Sequence, residues 1–345
     1  MAGKSGRNIS AVPEKTLKKL ILSWEGVLVV IFIAVLIAGR IMSPNFTLNS
    51  VMFMMPQYLS QLFIVFPMAF VLIMGEIDIS VGSIACLSAT TACLAANAGL
   101  PLPLVILVCL LTGLCCGALN GFVLTMWPEL PPMIVTLGTQ IIFRGIAEVV
   151  IGAGSSLKYD STNLAPFDAS IGPVPVVFIV VLIAAAVYMV LLSRTTFGRR
   201  LYAIGSNRVA AKYAGIGVNR MRFIVYALAG LMAALCALFL LTKIPAVKSD
   251  EFGKGFEMNV IAMCVFGGIA TTGGKGKLFG AFIAGMTIVC LRIALGLINV
   301  NDNIITIVIG VLLIISVLIS GISQIRKKRI KKEKYKSIGG KTANT

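Results

Sequence analysis

The sequence predicts an all-α protein, a polytopic transmembrane bundle of about 10 helices with both the N- and C-termini cytoplasmic. Three observations carry that prediction: an excess of apolar residues, apolar runs of membrane-spanning length, and basic clusters placed at even parity. Hydrophobic residues make up 58% of the 345 positions and charged ones only 12%. A water-soluble globular chain is about 45–50% apolar and about 25% charged, so this one has too little polar surface to cover a globule in water. Segments such as 20–39, 104–126, 173–193 and 303–320 run to roughly 20 residues with few charges, the length a helix needs to cross a hydrocarbon core of about 30 Å.

The net charge of +17 is read as a topology signal and not as a nucleic-acid footprint. Five basic residues precede the first apolar run, seven lie between Arg194 and Arg222, and nine follow residue 322. Positive charge in short loops marks the cytoplasmic side, so even numbers of spans must separate these three segments. Spans are expected at 20–41, 58–75, 80–98, 104–126, 132–152 and 173–193, then at 222–242, 257–272, 278–298 and 303–322. Six and four satisfy the parity. Residues 1–19 form a basic cytoplasmic N-terminus, 20–322 the transmembrane domain with its cytoplasmic loop 194–222, and 323–345 a basic cytoplasmic tail that contacts anionic lipid. The first apolar run is too long for a signal-peptide core and has no small-residue cleavage site after it, so it is read as a retained span. The segments 42–57, 153–172 and 243–256 are expected outside.

Gly75-Glu76-Ile77-Asp78 and Gly273-Gly274-Lys275-Gly276-Lys277 interrupt apolar sequence with glycine and charge. Each is either a tight turn or a broken helix, and irregular backbone at membrane depth is tolerated only where protein or a water-filled cavity covers it. Gly113, Gly117 and Gly121 recur every four residues, and Gly280, Ala281, Ala284 and Gly285 form a similar group. Such small residues let helices pack closely in lipid. The eight cysteines all lie in or beside apolar runs and behave as small hydrophobes. With no histidine in the chain, His-bearing zinc sites and Ser–His nucleophile pairs are excluded, and no metal site is expected.

Few charges fall inside the spans. Arg144 and Glu148 stand four apart on one helix face and are spaced to pair. Arg292 has no acidic residue within a helical turn of it in the sequence, and it faces a pathway, the interface or another helix. Glu76 and Asp78 either cap the third span, where a carboxylate suits the positive end of the helix dipole, or line a path. Asn120 near the end of the fourth span is equally ambiguous. Together Glu76, Asp78, Asn120, Arg144, Glu148 and Arg292 are the candidate pathway or gate residues.

Five segments, in order, carry a resemblance. Gly75-Glu76-Ile77-Asp78-Ile79-Ser80-Val81-Gly82-Ser83 comes first, then Ala118-Leu119-Asn120-Gly121, then Pro131–Thr139 with Arg144-Gly145. Thr196-Phe197-Gly198-Arg199 through Ala203-Ile204-Gly205-Ser206-Asn207, with Ala210-Ala211 and Gly215-Ile216, is the fourth. Val265-Phe266-Gly267-Gly268, Gly273-Gly274-Lys275-Gly276 and Gly280-Ala281 complete the set. From about residue 45 to 322 this pattern resembles the ribose-, xylose- and galactoside-type ABC transporter permeases, with Glu76 standing where that family usually has Gly, and Met133 where it has Phe or Ile.

The resemblance implies a membrane permease subunit of an ATP-driven importer in the bacterial inner membrane, moving a pentose, a hexose or a related molecule and performing no covalent chemistry. A furanone-type autoinducer is the alternative cargo, and an ion-coupled secondary transporter the alternative class. The implied partners are an ABC ATPase subunit with tandem nucleotide-binding domains, an extracytoplasmic solute-binding protein, and a second permease copy or paralogue. No cofactor is expected in this chain, since ATP would be bound by the ATPase and no phosphate-binding loop motif occurs here. The 194–222 loop, with seven cations and no acidic residue, is then the coupling element, and Arg199, Arg200, Gly205, Asn207, Arg208, Ala211 and Gly215 are its candidate residues. Its cations suit acidic groups around an ATPase groove.

Overall fold

The computed structural model describes residues 23–159, 164–244, 246–301, 303–311 and 314. The basic N-terminus, the tail and the second half of the tenth expected span lie outside the described residues. The elements in chain order begin with α1 (Trp24–Met42), α2 (Leu48–Leu59), α3 (Leu62–Ile73), α4 (Val81–Asn97), α5 (Leu102–Met126) and α6 (Pro132–Ile151). After β1 (Leu157–Lys158) come α7 (Ala165–Asp168), β2 (Ser170–Ile171), β3 (Val174–Pro175), α8 (Val176–Arg194), α9 (Thr196–Ser206), α10 (Arg208–Tyr213) and α11 (Val218–Leu241). Then follow β4 (Ala246–Val247), α12 (Phe256–Phe266), α13 (Leu278–Gly296) and the helical residues 303–311, here α14. The strands form two short antiparallel pairs, β1 with β4 and β2 with β3.

Each expected span overlaps a helix among the described residues, but the helices are not equal. Among the described residues, six are long and apolar enough to cross a membrane, or seven if α2 and α3, bent by 51°, count as one broken span. Pro56 and Pro67 flank that break, and each removes a backbone hydrogen bond from its helix. The segment 42–57, expected as an outside loop, is therefore mostly the helix α2. The eighth expected span is the short α12, of 11 residues.

The helices sort into a core and a shell. All residues of α3 are buried, as are most of α4. The most apolar stretches of α11 and α13 are 78% and 72% buried, against 11–28% in α1, α5, α6 and α8. Shell helices show bare aliphatic faces, such as Ile33, Ile37 and Ile41 on α1 and Ile183, Val187 and Val190 on α8. In water such faces would drive aggregation, whereas lipid tails are as apolar as they are. The core is assembled through small residues: a Cβ on Gly117 of α5 would sit 2.9 Å from Gly230 Cα of α11, so only glycine allows that approach.

Helix ends gather in two sets. At one end meet the start of α1, the turn between α3 and α4, the C-terminus of α5, helices α9 and α10, and the turn after α12. Gly274 N–H donates to Ile73 O at 2.8 Å, Tyr202 Oη to Gly276 O at 2.6 Å, and Trp24 Nε1 to Phe266 O at 3.0 Å. Lys277 pairs with Glu25 at 2.8 Å. At the other end Asn97 Nδ2 donates to Lys158 O at 2.8 Å, Leu157 of β1 faces Val247 of β4, and Lys243 pairs with Asp168. All seven cations of the 194–222 loop belong to the first set, called here the basic end.

Candidate functional site

Two features stand out as working parts, a cleft within the bundle and a two-helix projection at the basic end. The cleft, about 480 Å³, is walled by the α2–α3 break (Gln57, Gln61), by residues 252–256, and by Asn259 and Arg292. It exists because two spans are broken side by side. Between β4 and α12 the chain is irregular, and it enters the bundle instead of remaining an outside loop. Gly253 lies against Gly82 in the first turn of α4, roughly 20 Å along that helix from Asn97 at the opposite end. Arg144 of α6 makes this backbone tolerable. Its Nη1 donates to Ser249 O at 2.5 Å and to Phe252 O at 2.7 Å, giving buried carbonyls the donors that lipid cannot. The predicted pairing of Arg144 with Glu148 is thus replaced: Arg144 turns inward to carbonyls, while Glu148 is exposed. Nearby, Gln140 Nε2 donates to Glu257 Oε1 at 3.5 Å.

The other pathway candidates do not share one place. Arg292 is in the cleft wall. Glu76, Asp78 and Asn120 are buried at the basic end, 5%, 0% and 0% exposed, in a polar network around the α3–α4 turn. Asp78 Oδ1 accepts from Ser80 N–H at 2.8 Å and Ser80 Oγ–H at 2.6 Å, which organises the turn entering α4. Asn120 Nδ2 of α5 donates to the same Ser80 Oγ at 2.8 Å. Glu76 Oε1 accepts from Arg222 Nε at 2.7 Å and Arg208 Nη1 at 3.1 Å, and it lies 2.5 Å from Arg222 Nη2. The fourth donor, Arg222 Nη1, goes to Leu124 O of α5. For Arg208, burial and the like charge of Arg222 pull the pKa below its usual value, and Glu76 opposes them.

The projection at the basic end is α9 followed by α10. Arg194 closes α8, and Thr195 begins a helix too polar to stay in lipid, carrying Arg199 and Arg200, both exposed. Gly205 lies directly on Ile73 O and Gly274 N, so α9 packs against both interrupted turns of the bundle, with no room for a side chain. Asn207 caps α10 by accepting from Ala210 N–H at 2.9 Å. Ala211 is buried, and Gly215 ends α10 at φ 77°, a left-handed conformation open to glycine at little cost. The same short helix presents Val209 and Tyr213, 65% and 89% exposed. Sequence reasoning focused on the cations and passed over these two. Their signal was present, since two large apolar residues four apart on a short extramembrane helix share a face.

A membrane bundle with broken central helices and a paired-helix projection at one end has the build of a transport subunit. A family model described as "Branched-chain amino acid transport system / permease component" matches residues 50–317, and the chain belongs to this family of ABC-importer permeases, the sugar-type family that the five motifs resemble. It is similar to the autoinducer 2 import system permease protein LsrD of Salmonella paratyphi A, 30% identical over 304 residues, 86% of this chain and 90% of that one. It is also similar to LsrD of Klebsiella pneumoniae, 29% identical over 307 residues, 87% and 92% of the two chains. LsrC of Photorhabdus luminescens is 35% identical over 217 residues, 62% and 64%. No solved structure matches the chain.

Proposed function

We propose that this permease works as one half of a membrane-embedded pair in a bacterial inner-membrane importer, with the basic end in the cytoplasm. The excess of cations there supports that orientation by the positive-inside rule. An ABC ATPase subunit with tandem nucleotide-binding domains docks on α9–α10, where Val209 and Tyr213 offer apolar anchors and Arg199 and Arg200 offer charge. A solute-binding protein delivers cargo at the opposite end, and the cleft between the broken spans is this chain's share of the path. The observation that carries the reading is the α9–α10 projection packed on the α3–α4 and α12–α13 turns, because force applied there reaches both interrupted spans.

The cargo is a small oxygen-rich ring compound, a pentose, a hexose or a furanone-type autoinducer; the names of the relatives favour the last. A wall with Gln57, Gln61, Asn259 and Arg292 suits many hydroxyl groups held weakly, as a path that must release its cargo requires. ATP-dependent uptake in proteoliposomes containing the permease, its ATPase and its binding protein tests this, with labelled pentoses, hexoses, autoinducer 2 and leucine as the panel. Uptake of ring polyols or autoinducer driven by ATP is expected. Uptake that follows an ion gradient and ignores ATP overturns the reading, and uptake of leucine alone overturns the cargo.

A further inference from the structure

Glu76 stands where three parts of the bundle meet. It lies in the turn between α3 and α4, and its Oε1 carries every arginine contact: Arg222 from the first turns of α11, and Arg208 from the first residue of α10. Through Arg222 the same network reaches the C-terminal carbonyl of Leu124 in α5. Glu76 Oε2 has no hydrogen-bond partner among the described residues. A purely structural ion pair would be complete with Arg222, which is 1% exposed. Arg208 is different, since its side chain is 40% exposed and sits on the docking helix.

We infer that Glu76 is a positioning residue that couples displacement of α10 to α11 and to the α3–α4 turn, the three held as one charge cluster. The inference rests on α9–α10 being the face that meets the ATPase. When α10 is pushed, Arg208 draws the carboxylate with it, and Arg222 passes the motion to α11 and α5. The second carboxylate oxygen lets Arg208 shift from Oε1 to Oε2 without leaving either charge uncompensated in a low-dielectric site. The two elements then move together between states, which is how a local displacement biases a packed, bistable bundle.

The test uses the whole complex in proteoliposomes with a cargo that the wild type imports, recording uptake and ATP hydrolysis together. Glu76 is itself buried beneath α10, so Glu76→Gln changes no residue on the exposed docking face. Uptake per ATP should fall about tenfold, within the usual range of coupling between sites, while the ATPase still copurifies and hydrolyses ATP. Glu76→Asp should restore part of the loss. Arg208→Gln should uncouple similarly, and the double Glu76→Gln/Arg208→Gln should be no worse than either single change, since both cut one route. Unchanged uptake per ATP in Glu76→Gln overturns the inference. If that variant fails to fold, Glu76→Gln/Arg222→Gln removes both buried charges together and is expected to fold yet stay uncoupled; full coupling in it overturns the inference. A wild-type complex without ATP-driven uptake overturns the importer reading, and the inference with it.

Discussion

Arg222 and Arg144 are both arginines within a lipid-embedded bundle, and the chain treats them differently. Arg222 is matched with a carboxylate, Glu76, 146 residues away, and is almost fully buried. Arg144 is half-buried and is matched with two backbone carbonyls of the irregular segment before α12. The first arrangement neutralises a charge at the basic end; the second uses a charge to satisfy buried peptide carbonyls at depth. A buried cation is therefore no single signal. What it faces decides whether it joins elements electrostatically or repairs broken backbone.

Removing each arginine should separate the two roles. Arg222→Leu leaves Glu76 buried with only half-exposed Arg208 opposite, so it should destabilise by about 3–5 kcal/mol, the usual penalty for stranding a buried charge. Thermal unfolding in detergent measures this, and a change below about 1 kcal/mol would show that Arg208 alone suffices. Arg144→Leu strands two carbonyls and breaks no direct ion pair among the described residues, so the loss should be smaller, about 1–3 kcal/mol. Proteolysis should then cut first within 248–255, and equal protection of that segment in the variant and the wild type would break the comparison. Tyr213→Ala on the proposed docking face should leave unfolding unchanged yet weaken copurification with the proposed ATPase subunit, and unchanged copurification would remove Tyr213 from that face. Glu148→Gln is expected to do least, within about 0.5 kcal/mol, as for exposed substitutions generally. A larger loss would restore the Arg144–Glu148 pairing suggested by their spacing.

That spacing shows why the site was only partly legible. Four residues apart on a helix is a statement about local geometry, and it was correct as geometry; Arg144 turned elsewhere because a chain segment 105 residues away brought unsatisfied carbonyls closer to it. Asp78 was legible as a carboxylate at the entry to the third span, and its partner Ser80 is only two residues on. Glu76 was not, because both its arginines are distant in sequence. The α9–α10 loop was marked by its cations, whereas Gly205 mattered for a contact with Ile73 that no motif encodes. Among the spans, α12 and the α2–α3 pair were hardest to place, since proline and glycine announce a break without saying whether a cleft lies beside it.

By itself the sequence determined that this is a multi-pass membrane protein, roughly where its helices lie, and which family of permeases it joins. Those follow from apolar run length, charge placement and ordered short motifs, all properties of the chain read locally. Only the tertiary structure decided which helices form the core, which charges meet, and where the cleft opens. Lipid and protein interior are equally apolar, so hydrophobicity cannot tell an inner helix from an outer one. The distinction comes from close backbone approach at small residues such as Gly117 and Gly230, and from polar partners that only folding brings together.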